Sequence, residues 1–480
     1  MPSVNDYSQL AGIWKDVWGS TVFDPFKFAT PLISDMPLEA PASQAGGKYH
    51  QPILATQEAG ITHAAPRTTP GYNSVPYVNP RAGVIPDAQI EGAQIYGRSL
   101  VTYEAIMRSL KDINGSEDDL RKAVKGATRT VVMGLGKAMA KRAEVLALNG
   151  GHPDGLGVIE AVGTTPTASV SIDGTSTTGS VLDVSVSAET WAAAIFAQAE
   201  GATFDIYSAA GAKLNTANNT YLNSAGGQTG LILVAINPVS PISPVTATGR
   251  VLRFWHTVSS AGGVNSTTLA AGSRIFYESG GPATSGSIGA EPIGLSYLAS
   301  IGTGAFTGGT FPTALYNIDS ATYSIWSGNR ATGVGNVKIA QLIEQLAAPI
   351  DFGVMGEKVR ALVPTKLFQQ FATDEASLRR YNGAQKKAEN GFDAVQYSMG
   401  GNNVLEVLGH PYQKGGRVTC YVPSEAHRVG PQDVSFLKRN GNDFALEVGT
   451  GAASEARAMG QYNVYVDAPK HCLVLEGVTY

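Results

Sequence analysis

The sequence predicts an α+β protein interrupted by an all-β insert, and three observations predict it. A long helical pattern occupies about residues 116–149, alternating apolar residues poor in charge fill about 162–309, and strands mixed with short helices then resume. At 480 residues the chain exceeds what one core serves, so roughly two to four domains are expected.

Residues 1–48 carry one short amphipathic pattern, Leu10, Ile13, Trp14, Val17 and Trp18, in a stretch with no core of its own. Such an arm is expected to lie on another surface. From Lys48 to about Gly97, five prolines between Pro66 and Pro86 exclude a helix and predict a long loop or open hairpin. "SLVTYEAIMRSLKDING", from Ser99, reads as a short helix, and the segment from Ser116 as a long one. Ser116 is the expected N-cap, with acidic residues in the first turn where the helix dipole favours them. Leu120, Val124, Ala127, Val131, Leu135 and Ala138 form one apolar stripe. Gly126, Gly134 and Gly136 would each cost roughly 1 kcal/mol against Ala in isolation, which predicts close approach by a neighbour. Asn149 and Gly150 stop the helix, Pro153 to Gly155 turn the chain, and Val158 and Ile159 begin a strand.

Within the insert, "VLDVSVSA", "ATFDIYS", "GLILVAIN", "RVLRFWHTV" and "SRIFYES" alternate like strands. Trp191, Phe204, Tyr207, Phe254, Trp255, Phe276 and Tyr277 supply core material, so a small folded sandwich without a disulfide is expected rather than low complexity. Beyond Gly309, "NVKIAQLIEQLAA" is an amphipathic helix and "VRALVPTKLFQQFAT" a strand that enters a helix at Pro364. "VLEVLGHPYQ" and "RVTCYVP" are strands, and two closing strands are broken at Pro469.

Composition narrows the function. A net charge of −4 without a Lys/Arg run argues against a dedicated nucleic-acid binder, and Cys420 and Cys472 alone make neither a disulfide framework nor a zinc site. The N-terminus lacks signal-peptide features, and no apolar run approaches membrane-spanning length. The nucleophile elbow G-x-S-x-G and the phosphate loop G-x-x-x-x-G-K-[ST] are absent. Gly333 and Gly335 precede a helix, but Lys338 stands where a dinucleotide loop needs its third glycine, so helix capping is the better reading. Seven histidines are scattered. His152 and Asp154 come nearest to a metal pair, yet no third ligand is near in sequence and Pro153-Asp154-Gly155 is already a good turn. Glu117, Asp118 and Asp119 suit a helix start better than an acid/base dyad. No enzyme, cofactor or metal is expected.

The order of these segments resembles the tailed-phage major capsid proteins with the Hong Kong 97 type fold. Leu148, Gly150, Gly155, Gly157, Val158 and Ile159 approximate that family's Gly-rich exit from its long helix, with a longer His-Pro spacer. Leu408, Gly409 and Pro411 are similar to its "l-l-G-x-P-v" segment, and Pro469 to Gly477 to its closing strands. The resemblance implies an arm over residues 1–48, an extended loop over 49–97 and a peripheral domain with the spine helix over 98–161. It further implies an inserted β-rich domain over 162–309, a mainly axial domain over 310–430 and a return to the peripheral domain over 431–480. Leu120, Val124, Val131, Leu135, Gly150, Gly155, Gly157, Gly409 and Pro411 would be structural and assembly positions.

The function so implied is a subunit that self-assembles into hexamers and pentamers of an icosahedral phage head. That head would be built in the host cytoplasm and would enclose double-stranded DNA without sequence-specific contacts or a membrane. Partners would be copies of the chain, a portal and cement or decoration proteins. Scaffolding is expected as a separate protein, or as a segment already removed, because the sequence starts almost directly with the arm. Covalent crosslinking through a loop lysine is not expected, since only Lys48 is available. Two alternatives remain, a cellular nanocompartment shell and a β-rich tail or adhesin protein. An enzyme comes last.

Overall fold

The computed structural model describes residues 30–39, 48–61, 79–102, 117–163, 167–170, 179–214, 231–238, 249–256, 269–282, 291–306, 309–354, 356–378, 395–399, 403–436, 446–447 and 453–480. The amphipathic pattern at Leu10 to Trp18 and the cap at Ser116 lie outside them.

Helix α1 (Pro31–Asp35) starts on a proline and leads to β1 (Leu38–Glu39). Strands β2 (Tyr49–Pro52) and β3 (Asp87–Ile90) pair antiparallel, and bridges Thr56↔Val84 and Ala59↔Arg81 carry the pairing outward. The described ends of the proline-punctuated segment thus pair as a hairpin, while residues 62–78 between them lie outside the described residues. β4 (Ala93–Thr102) corrects the expected short helix, because Ser99 to Thr102 are strand. The competing partner decides: β4 pairs from Ala93↔Tyr462 to Thr102↔Ala453 with a strand some 360 residues away, which local propensity cannot register. The rest of that expected helix, 103–115, lies outside the described residues.

Helix α2 (Glu117–Asn149) is 33 residues long. The side chains of Leu120, Val124 and Val131 lie outside the described ones; Leu135 is half-buried against the core. The close approach expected at the helix glycines does not occur at Gly134, where an added Cβ would meet nothing within 4 Å. It would make ordinary contact with the Phe436 ring at Gly136, 3.5 Å away. The tight spot belongs to the strand instead, since a Cβ on Gly97 would sit 2.8 Å from Met139 Sδ and 3.0 Å from Leu135 Cδ1. From Ala143 to the end the helix is enclosed on every side.

The insert comprises β5 (Gly157–Val162), β6 (Thr167–Val170), β7 (Gly179–Val186), α3 (Ala193–Phe196), β8 (Thr203–Tyr207), β9 (Leu231–Ile236), β10 (Val251–His256) and β11 (Arg274–Tyr277). All five alternating segments are strands, but they close into a small barrel rather than a sandwich. The order runs β10-β9-β8-β11-β5-β7, and β7 pairs back onto β10 while β6 flanks β7. Closure removes sheet edges that a strand-rich unit of this size would otherwise expose. The barrel strands begin at Gly157, before the expected boundary at 162, and end at Tyr277, well before 309. First and last strands are neighbours, with Ile275↔Gly157 in register.

Past the barrel, α4 (Leu295–Leu298) is fully buried with Ile293 and Ile301 in a core shared with Leu148, Trp326, Tyr465 and Val474. Short pairs β12 (Ala305–Phe306) with β13 (Gly309–Thr310), and β14 (Ala314–Leu315) with β15 (Ile318–Asp319), precede β16 (Asn329–Ala331) and β17 (Gly335–Asn336). Then come α5 (Ile339–Gln345), α6 (Ala347–Asp351), β18 (Lys358–Val363), α7 (Thr365–Leu378), β19 (Val395–Ser398), β20 (Val404–Gly409) and β21 (Arg417–Tyr421). The chain closes with β22 (Ala426–Phe436), β23 (Leu446–Glu447), β24 (Ala453–Val466), β25 (Leu473–Glu476) and β26 (Val478–Thr479).

Two main sheets result. A six-stranded one runs β16-β25-β21-β18-β20-β19, with its own core of Leu342, Val359, Ala361, Leu367, Phe371, Val407 and Val418. The other joins β1, β22, β24, β23 and β4, and α2 packs across it. The barrel core is continuous with the end of α2 and with β24, through Ala143, Val145, Leu146, Ala458 and Tyr462. The insert is thus seated on the helix rather than hung from a linker.

Candidate functional site: a buried ionic junction at the end of the long helix

The Gly-rich exit from α2 is where the two sheets and the barrel meet. Gly150 is obligatory there: an added Cβ would lie 2.1 Å from the Pro292 carbonyl and 2.5 Å from that of Leu146. The Gly294 N–H donates to the Gly150 carbonyl at 2.9 Å, tying the helix end to the segment that re-enters from the barrel. Gly155 has φ +53°, and its Cβ would meet the Ile275 carbonyl at 2.3 Å. Gly157 opens β5; Gly409 closes β20, where an added Cβ would lie 3.2 Å from Phe368 Cγ, and Pro411 comes two residues later.

The turn made by these glycines points two polar side chains inward. His152 is buried, its ring 5.4 Å from that of Phe311. Its Nδ1 accepts the Asp154 N–H at 3.2 Å, so Nε2 carries the proton and faces Glu476 Oε1 at 3.6 Å. Arg417 Nη2 donates to Asp154 Oδ2 at 2.5 Å and to Glu476 Oε1 at 2.8 Å. Arg330 holds the other oxygen, its Nε 2.8 Å from Glu476 Oε2, and Lys414 Nζ donates to the Gly155 carbonyl at 2.7 Å. Helix exit, β16, β21 and β25 are locked together by these contacts.

Burial, then the nearby Arg417 guanidinium, pushes His152 down to about 4, so the ring is neutral near pH 7. The same two causes bring Lys414 down to about 7. Burial alone would raise the Asp154 and Glu476 carboxyls, but the cations around them outweigh it and hold both well below the usual carboxylate range. His152, Asp154 and Glu476 offer ligand atoms within 4.8 Å of one another, the third partner that the local sequence lacked. Yet Arg417 Nη2 already bridges both carboxylates and His152 Nδ1 is engaged by a backbone N–H, so a divalent ion would have to displace a guanidinium. The arrangement is a structural ion-pair network and offers no nucleophile with a base. Sequence reasoning missed Arg417, Glu476, Arg330 and Lys414. The available signal was a charge at one end of each apolar strand, in "RVTCY" and "LVLE".

A second anchor holds the start of the described chain. The Leu32 and Ile33 N–H groups donate to the two oxygens of buried Glu144 at 2.8 and 2.9 Å, and Glu144 Oε1 also meets His410 Nε2 at 3.0 Å. Asp35 pairs with Arg360, and Arg428 Nε donates to the Met36 carbonyl at 2.8 Å. The hairpin buries Ala88 and Ile90 at its base and farther out leaves Leu54, Ile61, Val84 and Ile85 exposed, Ile61 by 84%.

No protein-family model matches the chain, and no curated protein matches it. Among solved structures it is similar to the "Cyanophage A-1(L) capsid asymmetric unit", with TM-score 0.45, 10% identity, and 96% of each chain covered. It is also similar to a chain of "Mycobacterium phage Bobi", with TM-score 0.40, 11% identity, and 99% of this chain and 98% of that one covered. A third is "Capsid of native GTA particle computed with C5 symmetry", with TM-score 0.38, 7% identity, and 96% and 94% covered.

Proposed function

We propose that the chain is the major structural subunit of an icosahedral phage or GTA-type head with the Hong Kong 97 type fold. The observation that carries the reading is the hairpin between β2 and β3. Among the described residues, four of the nine exposed large hydrophobic ones, Leu54, Ile61, Val84 and Ile85, lie on it, beyond the base where Ala88 and Ile90 enter the core. An extended arm with unpaired apolar side chains gains its buried area from a second copy. The rest of the chain supports that reading, because rigid wedges built on a 33-residue helix and two sheets give repeated contacts a fixed geometry.

In this reading the sheet of β1, β4 and β22–β24 with α2 is the peripheral part, the six-stranded sheet the axial part, and the barrel the insert. Leu120, Val124, Val131, Leu135, Gly150, Gly155, Gly157, Gly409 and Pro411 are the chain's structural and assembly positions. Copies assemble as hexamers and pentamers around DNA held without sequence-specific contacts. A separate scaffolding protein, a portal and cement proteins are the further partners. Expression with a scaffold, followed by negative-stain microscopy, tests this. Shells or capsomers are expected, and a stable monomer under those conditions would sink the reading.

A further inference from the structure

Among the described residues the chain steps directly from one main sheet to the other twice. β21 leads through Val422 and a 3-10 turn, Pro423–Glu425, into β22; β24 leads through Asp467 and a second 3-10 turn, Pro469–His471, into β25. The crossings run side by side, for the Asp467 N–H donates to the Glu425 carbonyl at 3.1 Å. Glu425, His427, Asp467 and His471 sit on them.

Both imidazoles face an oxygen at each nitrogen, within hydrogen-bond distance at both for His471 and at Nδ1 alone for His427, whose Nε2 faces a carboxylate at ion-pair distance. His471 Nδ1 lies 2.9 and 2.8 Å from the two oxygens of Glu425, and its Nε2 lies 3.3 Å from the Phe352 carbonyl behind α6. His427 Nδ1 lies 3.1 Å from Glu39 Oε1 at the end of β1, and its Nε2 lies 3.7 Å from Asp467 Oδ2. A neutral ring has one N–H and must turn a lone pair toward one of its two acceptors; only imidazolium serves both. The remaining groups nearby do not replace that charge. The Tyr49 and Tyr465 phenols and the Cys472 thiol are pushed up by burial and stay neutral, and Lys470 Nζ is turned to the Phe352 ring, 4.5 Å away. Glu39 and Asp467 lie on opposite nitrogens of His427, so they do not converge on a metal ion.

We propose that His427 and His471 form a proton-operated fastener between the two sheets, tying both crossings, β1 and the Phe352 turn together while both rings are imidazolium. The direction of titration agrees. The Asp467 carboxylate raises His427 against burial, and hydrogen bonding to Glu425 raises His471 likewise. A raised folded-state value means the contribution is complete below the unfolded value of about 6.5 and is lost as pH rises through the folded value. The fastener is closed in mild acid and released in mild alkali, whatever the chain assembles into.

Hydrogen exchange of the full chain at pH 5.5 and 8.5, corrected for intrinsic rates, tests the idea. Peptides covering 421–429 and 464–473 should exchange about tenfold faster at the higher pH for each unit by which a ring's value is raised, while barrel strands β8 and β10 stay unchanged. The double variant H427Q/H471Q should exchange at pH 5.5 as the unaltered chain does at 8.5. Equal protection of the unaltered chain at both pH values, or pH dependence that survives in the double variant, overturns the proposal. Should the variant fail to fold, histidine-selective NMR titration of the unaltered chain decides. Both rings titrating above 6.5 supports the fastener, and titration at or below 6.5 refutes it.

Discussion

Replacing Arg417 by Met removes the cation shared by Asp154 and Glu476 and leaves two carboxylates facing each other across a buried space. The side chains of Arg417, Asp154 and Glu476 are 4%, 24% and 16% exposed, so solvent cannot take over the role of the guanidinium. Breaking a buried pair by removing one partner costs about 3–5 kcal/mol, chiefly through the uncompensated charge left behind. Arg330 still holds one oxygen of Glu476, which places the expected loss toward the lower end. Urea unfolding at pH 7 measures it. A second reading comes from pH: with Arg417 present both carboxyls are depressed, so their contribution is present above the unfolded value of about 4 and lost as pH falls through the folded one. In R417M the carboxyls rise and take up protons by pH 5, and the gap to the unaltered chain narrows there. The triple variant R417M/D154N/E476Q should regain most of the loss at pH 7. A loss under about 1 kcal/mol at pH 7, the level of exposed pairs, or a gap equal at pH 7 and 5, would refute the reasoning.

Three further outcomes are expected. Gly150→Ala drives a Cβ against two backbone carbonyls and should cost about 1–3 kcal/mol or more in the same urea assay; an unchanged midpoint would mean the helix exit can shift freely. Deleting 165–308 should abolish soluble expression, because Ile293, Leu295, Tyr297 and Leu298 go with it, whereas a two-glycine link replacing 158–274 should leave a folded chain that binds hydrophobic dye at the uncovered Ala143 and Leu146. Ile61→Asp should leave urea stability within about 0.5 kcal/mol, as an exposed site allows, yet shift sedimentation from assemblies to small species. Unchanged assembly of that variant would remove the hairpin from the contact surface.

What could be read from sequence was what neighbouring residues decide. Alternation alone located β7 to β11, Pro364 marked the passage from β18 to α7, and Asn149-Gly150 stopped α2. What could not be read depends on partners far along the chain. Ser99 to Thr102 look helical until β24 arrives to pair with them, and strand closure into a barrel needs β7 to meet β10. The ionic junction shows the same division: His152 and Asp154 stand out locally, but Arg417 and Glu476 reach them across some 260 and 320 residues, so the turn looked self-sufficient. Hydrogen-bonding need is visible in a sequence only when donor and acceptor share an element.

The adjacency of β5 and β11 has a consequence for how such a chain changes over generations. Because the strand that leaves the helix exit is hydrogen-bonded to the strand that returns, a recombination event that exchanges everything between Gly157 and Ile275 leaves the host ends adjacent. It asks of the host backbone only new acceptors for the Gly415 and Gly416 N–H groups, which now donate to Trp191 and Glu189. Any newcomer with termini one strand spacing apart, about 5 Å, fits the gap. A second condition filters the newcomers, since the underside must offer apolar residues to Ala143, Val145 and Leu146. The socket therefore selects for the base of a domain and leaves its crown free to vary.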